Sequence, residues 1–336
     1  MKRAIALACS LAAALTAARA PADGHFVVRM ATVAPDGTAY ARELRAFSRE
    51  VADATQGEVS MKWYWGGIAG DDRQVAERVK RGQLDGVASG MICQLVAPSF
   101  RALHMPGLFR TRDEVRYATG QLWSELAHEF HGAGYELLGF ALLGPVEVFS
   151  RHPVRTLDDL KREKMWVWDT DVMLRDPLRA MGLDLVALPI EDAGRAYSDG
   201  KTDGFLTIPS GTLAFQWYAQ AHYVTELRIN YLTGCIAMTS RAFDRLPTAH
   251  QQSIRGAAAK FAARLEQVNE EQDRQLLGGL FTRQGITPVP VSEAFRAEFA
   301  QAARAALEKG GEQLVPSALR KRVEALIAEY RAAHKP

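Results

Sequence analysis

The first half of the chain alternates strand-like and helix-like segments, and that rhythm restricts the fold more than any other feature. Residues 26–32 read as a strand, with Val27, Arg29 and Ala31 on one face and Val28, Met30 and Thr32 on the other. A turn at Ala34-Pro35-Asp36-Gly37 leads into a helix over about 38–54, whose Leu44, Phe47 and Val51 share a face. Residues 59–65 form a second strand, Gly66, Gly67 and Gly70 make a loop, and Asp71 or Asp72 caps a helix over about 73–81. A third strand covers 84–89. This β-α-β-α-β order predicts a mainly parallel sheet with helices on its faces.

A second set repeats the pattern. Thr111 with Glu114 is a capping box for a helix to about His131, followed by a strand at 135–143 and a break at Gly144-Pro145. Strands are then expected at 146–150, 164–168, 185–188 and 204–206, with helices near 156–162, up to Met181, and over about 191–197. A further strand covers 231–240. Residues 248–285 form a long amphipathic stretch, about 57 Å if continuous at 1.5 Å per residue. The fold class expected is α/β with two domains. Domain I is 23–143 plus about 230–250, domain II is 144–229 plus about 286–336, and the long helix braces both.

Lys2 and Arg3 precede an apolar run over 4–18 that ends in small residues, the layout of a secretory signal peptide cleaved after Ala22. Losing Lys2, Arg3 and Arg19 leaves 38 basic against 39 acidic residues. That balance offers no basic stripe for nucleic acid and no polybasic membrane patch. No later apolar stretch approaches the roughly 20 residues that span a bilayer. The chain is therefore expected as an exported protein and not as an integral membrane protein. Cys93 and Cys235 lie in apolar, strand-like runs and are expected as two buried thiols, although export permits a disulfide.

The usual catalytic signatures are missing: no G-x-S-x-G, C-x-x-C, Walker loop or H-E-x-x-H occurs. His128 and His131 lack a third ligand at useful spacing, so no metal is expected, and no cofactor. Asp71-Asp72 is expected to cap a helix; an exported hydrolase using these acids and a histidine is the catalytic alternative. What does stand out is Met165-Trp166-Val167-Trp168. Residues i and i+2 of a strand face the same way, so both indoles project together, with Asp169 and Asp171 just beyond. They form either a ligand wall or part of a core. Trp63 and Trp65 pose the same choice, whereas Trp217 and Tyr218 are expected in the core.

Several segments, taken in order, resemble the DctP-type periplasmic substrate-binding proteins of tripartite ATP-independent periplasmic (TRAP) transporters. They are RMATVAPDGTAY (29–40), WYWGGIAGDDR (63–73), RGQLDGVASG (81–90), LHMPGLFRTRDEV (103–115) and FSRHPVRTLDDLKREKMWVW (149–168). GLDLVALPIEDAGRAYSDGKTDG (182–204), FQWY (215–218) and MTSRAFDRLPTAHQ (238–251) complete the series. The resemblance implies two α/β domains joined by hinge strands and closing over a small-molecule ligand. It implies no catalysis, a partnership with TRAP membrane subunits driven by an ion gradient, and a monomer. A periplasmic sensor signalling to a membrane receptor is the alternative on the same fold. Since ligands of open α/β sheets sit beyond the carboxyl ends of strands, residues 34–40, 66–72, 89–91, 166–169 and 207–210 are expected around the cleft.

One departure bears on the ligand. Trp166 stands where the resemblance implies an arginine that clamps a carboxylate, a fork not easily replaced. Val146 stands at a second arginine position, Thr207 at a frequent asparagine, and Gly90 at a polar position. The expected binding set is Tyr40, Asp72, Ser89, Gly90, Met91, Val146, Trp166, Trp168, Asp169, Ile190, Thr207 and Arg228. The expected ligand is not a simple carboxylate held by arginine but an apolar, aromatic or cationic molecule, a cation being neutralised by Asp169 or Asp171. Two routes would rescue an acid: a divalent ion at Asp71, Asp72 or Asp169, or the guanidinium of Arg228.

Overall fold

The computed structural model describes residues 24–334, and the signal-peptide expectation lies outside that range. Strands β1 (Phe26–Ala31), β2 (Val59–Tyr64) and β3 (Gly86–Ser89) run parallel, linked through α1 (Ala39–Ala54) and α2 (Asp72–Lys80). The Thr38 hydroxyl caps α1 by accepting from the Ala41 N–H, and Asp71 forms a reciprocal box with Gln74 at α2. Leu44, Phe47 and Val51 of α1 bury against Val28 and Met30 of β1. Two elements absent from the sequence expectations come next, α3 (Met91–Val96) and a 3₁₀ turn (Pro98–His104), before α4 (Arg112–Gly132).

The chain then runs through β4 (Tyr135–Ser150), α5 (Leu157–Arg162), β5 (Lys164–Trp168), α6 (Val172–Ala180) and β6 (Asp184–Leu188). It continues with α7 (Ile190–Ser198), β7 (Gly204–Thr207), α8 (Pro209–Ala214) and β8 (Tyr223–Thr239). The expected break at Gly144-Pro145 does not occur: β4 is a single strand of 16 residues. Its antiparallel ladder with β8 absorbs the interruption as register shifts, one of them between Leu142 and Gly144.

Among the described residues all nine strands share one sheet, in the order β2-β1-β3-β8-β4-β7-β5-β6, with β9 (Thr287–Val289) beside β8. The two ends of this sheet repeat each other. In one, β1 lies between β2 and β3; in the other, β5 lies between β6 and β7. The register matches as well, with Met30 opposite Gly86 and Met165 opposite Gly204. A Cβ on Gly86 would lie 2.5 Å from the Ala237 carbonyl oxygen, and one on Gly204 would lie 2.4 Å from that of Phe149. Only glycine permits these strands to approach so closely. Asp85 accepts from the Arg29 backbone N–H, and Asp203 from that of Lys164. β4 and β8 pass between the halves and belong to both.

After α9 (Ser240–Asp244), the helix α10 (Thr248–Gln275) lies across the molecule. Ile254, Phe261 and Leu265 pack into the first half, while Leu276 and Phe281 beyond it enter the core of the second. The path is helical to the end of α11 (Phe281–Arg283), through a π-turn at Leu276–Leu280 where Gly279 leaves helical geometry at φ 131°. α12 (Glu293–Gly310) sets Phe295 and Phe299 in the second half. α13 (Ser317–Ala333), grouped with that half in the sequence division, instead packs Val323 and Ile327 against Leu122 and Leu126 of α4.

Cys93 and Cys235 are joined by a disulfide with Cα atoms 6.0 Å apart, which corrects the expectation of two thiols. β3 pairs with β8 so that Ser89 lies opposite Cys235, and α3 begins two residues later. Tertiary pairing thus brings together cysteines that lie 142 residues apart in sequence. Among the described residues, no helix is long and apolar enough to cross a membrane.

Candidate functional site

In each half the two strands that follow the central strand in sequence lie on opposite sides of it, which opens a crevice at the central strand's carboxyl end. The two crevices face each other across β4 and β8. Between them lies a cleft of about 640 Å³. The first half contributes Thr32, Val33 and the turn 34–40 after β1, with Ser89, Gly90 and Met91 after β3. The second half contributes Trp166 and Trp168 of β5, Ile190 at the start of α7, Thr207 of β7, and Phe215 and Tyr218. Leu143, Val146 and Leu232 form the floor, and Asn269 and Gln272 reach in from α10.

Nine of the twelve expected residues therefore meet in one cavity: Tyr40, Ser89, Gly90, Met91, Val146, Trp166, Trp168, Ile190 and Thr207. The two indoles differ. Trp166 is 2 % exposed, its Nε1–H donates to the Leu188 carbonyl at 3.1 Å, and its ring packs edge-on against Trp217 and Phe205. It serves as core and wall together. Trp168 is less buried, and its Nε1–H has no acceptor in the protein.

The other three expected residues stand outside the lining. Asp72 is 1 % exposed and lies one hydrogen bond behind the wall, its Oδ1 accepting from the Ser89 hydroxyl at 2.7 Å while Oδ2 has no partner. Burial pushes its carboxyl up to about 7; the Ser89 bond opposes this, and the nearby charges of Asp71, Asp169 and Glu191 add to it. Asp169 lies 3.7 Å from Arg73, an ion pair that joins the two halves at the mouth. Arg228 is exposed on β8 and donates to the Arg110 carbonyl, so its guanidinium is engaged away from the cleft. The loop 66–70 is likewise absent from the lining, because it follows β2, one strand away from the crevice. Trp63 and Trp65 beside it stack on each other, with Trp63 Nε1 donating to Ser48 and the Arg45 guanidinium over Trp65.

Several lining residues lie outside the expected set of twelve, among them Asp171, named from sequence only as able to neutralise a cation. Asp171 is 4 % exposed and caps α6, its Oδ1 accepting from the N–H groups of Met173 and Leu174. Burial raises its carboxyl to about 6, against hydrogen bonds from Leu174 and Met173, the neighbouring Gln94 amide and the charge of Arg175. Gln94 belongs to α3 of the first half and also donates to His104 Nδ1 at 2.6 Å. His104 is fully buried, bonds to Thr233 through Nε2, and is held neutral by burial, its imidazole pushed down to about 4. Tyr218 was expected in the core but lines the cleft, unlike its neighbour Trp217, which is buried. Asn269 and Gln272 carried no local signal, since their place depends on where α10 crosses. Among the described residues, no three His, Cys, Asp or Glu side chains converge as a metal site.

Residues 30–313 match the family model for bacterial extracellular solute-binding protein, family 7, named DctP. A solute-binding protein of Chromohalobacter salexigens is 24 % identical over 240 residues, covering 70 % of either chain. The sugar acid binding protein of Advenella mimigardefordensis, solved with galactonate, superposes with a TM-score of 0.84 at 17 % identity. That match covers 91 % of this chain and 99 % of the other. A TRAP periplasmic solute-binding protein of Haemophilus influenzae, solved with L-gulonate, gives 0.82 at 16 % identity, covering 90 % and 99 %. The fold is the two-domain periplasmic binding protein architecture, with a long helix spanning both parts. The chain belongs to the DctP family of extracellular solute-binding proteins, whose members act as receptors for small molecules.

Proposed function

We propose that this protein captures its ligand in the cleft between β1/β3 and β5/β7 and delivers it to TRAP membrane subunits, as a monomer in the periplasm, without catalysis. The proposed domain boundaries near 143 and 230 are supported by the passage of β4 and β8 between the halves, and residues 1–22 are read as a removable signal peptide. The ligand-contacting set is the nine lining residues above, with Asp72 acting through Ser89 and Asp169 at the mouth.

The observation that carries the ligand reading is Trp166. Its indole, at the position where the resemblance implies a clamping arginine, is fixed by a hydrogen bond to Leu188 and by the rings of Trp217 and Phe205. Among the described lining residues the one arginine is Arg42, exposed at the rim and bonded to the Gly37 carbonyl. Relatives are solved with galactonate and L-gulonate. Such an anion, set deep in this cleft, would lose its hydration without gaining a paired cation. Calorimetry with succinate, malate, pyruvate and galactonate is expected to give no binding heat, and micromolar binding of any of them would sink the reading.

A further inference from the structure

The cleft wall carries one buried charged side chain among the described residues, and that charge is negative. Asp171 faces the cavity, and no Lys, Arg or His forms an ion pair with it. Arg175, whose charge acts on Asp171, has its guanidinium spent on Asp176 and on the backbone carbonyl of Asp169. The other charges at the lining, Asp36 and Arg42, are exposed at the rim, and Asp36 is paired with Arg45. Behind the opposite wall Asp72 adds a second buried carboxyl with an unpartnered oxygen. The remainder of the lining is dominated by aromatic and aliphatic side chains whose π faces attract positive charge.

We propose that the ligand is an organic monocation, an amine or quaternary ammonium on a flat apolar body, with its charge at Asp171 and its body against Trp168, Ile190 and Phe215. This rests on the cleft being the ligand site and assigns the class of molecule it takes. Asp171 belongs to the second half and Gln94 to the first, so a cation at Asp171 sits where the halves touch. The His104–Gln94 bond fixes the amide that faces this carboxylate from the other side. An anion at the same place meets Asp171 with no compensating cation, which excludes the opposite charge sign.

The test compares molecules matched in shape and different in charge. Tryptamine, phenethylamine and benzyltrimethylammonium are titrated calorimetrically beside indole-3-propionate, 3-phenylpropionate and indole-3-ethanol. At least one amine is expected to bind about tenfold or more tightly than its neutral or acidic counterpart, the size of one charged contact. Asp171→Asn keeps a side-chain oxygen for capping α6 and removes the charge. It is expected to melt like the wild type, to lose that amine preference, and to leave any weak binding of indole-3-ethanol unchanged. Preference for the acids, silence from all three amines, or an amine preference that survives Asp171→Asn overturns the proposal. Native mass spectrometry of the protein as purified separates the two levels. A resident neutral or anionic molecule overturns the cation and leaves the receptor standing, whereas absence of both a resident and binding by every probe counts against both.

Discussion

The two halves present the same backbone to the cleft and opposite chemistry. At matched register, Ala31 of the first half corresponds to Trp166 of the second, since each follows the methionine that lies opposite a close-packed glycine. Two residues on, Val33 corresponds to Trp168. The first half thus ends its central strand in small side chains backed by the Ser89–Asp72 pair, and the second ends it in indoles backed by Phe205 and Trp217. One architecture, used twice, supplies a polar wall and an aromatic wall. The fold fixes where a ligand lies, and a few side chains at the strand ends fix what it is.

The strongest challenge to this contrast is Trp166→Arg, which writes a carboxylate clamp into the aromatic wall. A guanidinium among Phe205, Trp217 and Leu188 has no buried partner, so the loss in urea unfolding is expected to be about 3–5 kcal/mol. A variant that folds normally and acquires galactonate binding would break the argument. Next in size, Cys93→Ser removes a staple that only the first half possesses, and about 2–4 kcal/mol is expected to go with it. Reducing the wild type should lower its melting temperature to that of the variant.

The equivalence of the halves is tested by Gly86→Ala and Gly204→Ala. Each sets a methyl group against a neighbouring carbonyl, and similar losses of about 1–3 kcal/mol are expected. A wide difference between the two would undo the repeat. Asp72→Asn probes the polar wall through pH. The folded pKa near 7 lies above the usual 3.8, so the native state holds this proton more tightly. That contribution is complete below pH 4 and is lost as pH rises through 7. The variant, which keeps an acceptor for Ser89, should match the wild type near pH 4 and exceed it by up to about 4 kcal/mol at pH 8. Arg73→Ala removes the exposed ion pair across the mouth and should cost less than about 1 kcal/mol, an effect that fades with added salt.

Much of this architecture could be read from local signals. Thr38, Asp71, Thr111 and Thr156 each place a side-chain oxygen just before an apolar period, and each caps a helix. The repeat was written in the sequence too: G-x-x-D-G occurs at 82–86 and 200–204, turning from a helix into β3 and β7. What escaped depended on distant parts of the chain. Met91–Val96 and Pro98–His104 are short, apolar and without a side-chain cap, so periodicity cannot distinguish them from strands. Gly144-Pro145 resembles a stop signal, yet a long partner strand carries the ladder past it. The alternation i, i+2 placed both indoles on the cleft side. It could not tell which one would spend its N–H on Leu188. Asp171 was legible as one of two acids able to neutralise a cation, and only tertiary packing separates it, buried in the wall, from Asp169, which pairs with Arg73.

The Cys93–Cys235 bond also alters how the chain can be pulled apart. β5, β6 and β7, with α5 to α8, lie wholly between the two cysteines, so these elements of the second half are carried inside a covalent ring while its α12 lies outside. Force applied at the two termini is borne by residues outside that ring and by the bond itself. Stretching the oxidised protein should therefore leave the ring's backbone slack, and cutting the disulfide should release roughly 500 Å of additional contour length. The strand that carries the cleft indoles is, mechanically, sheltered cargo.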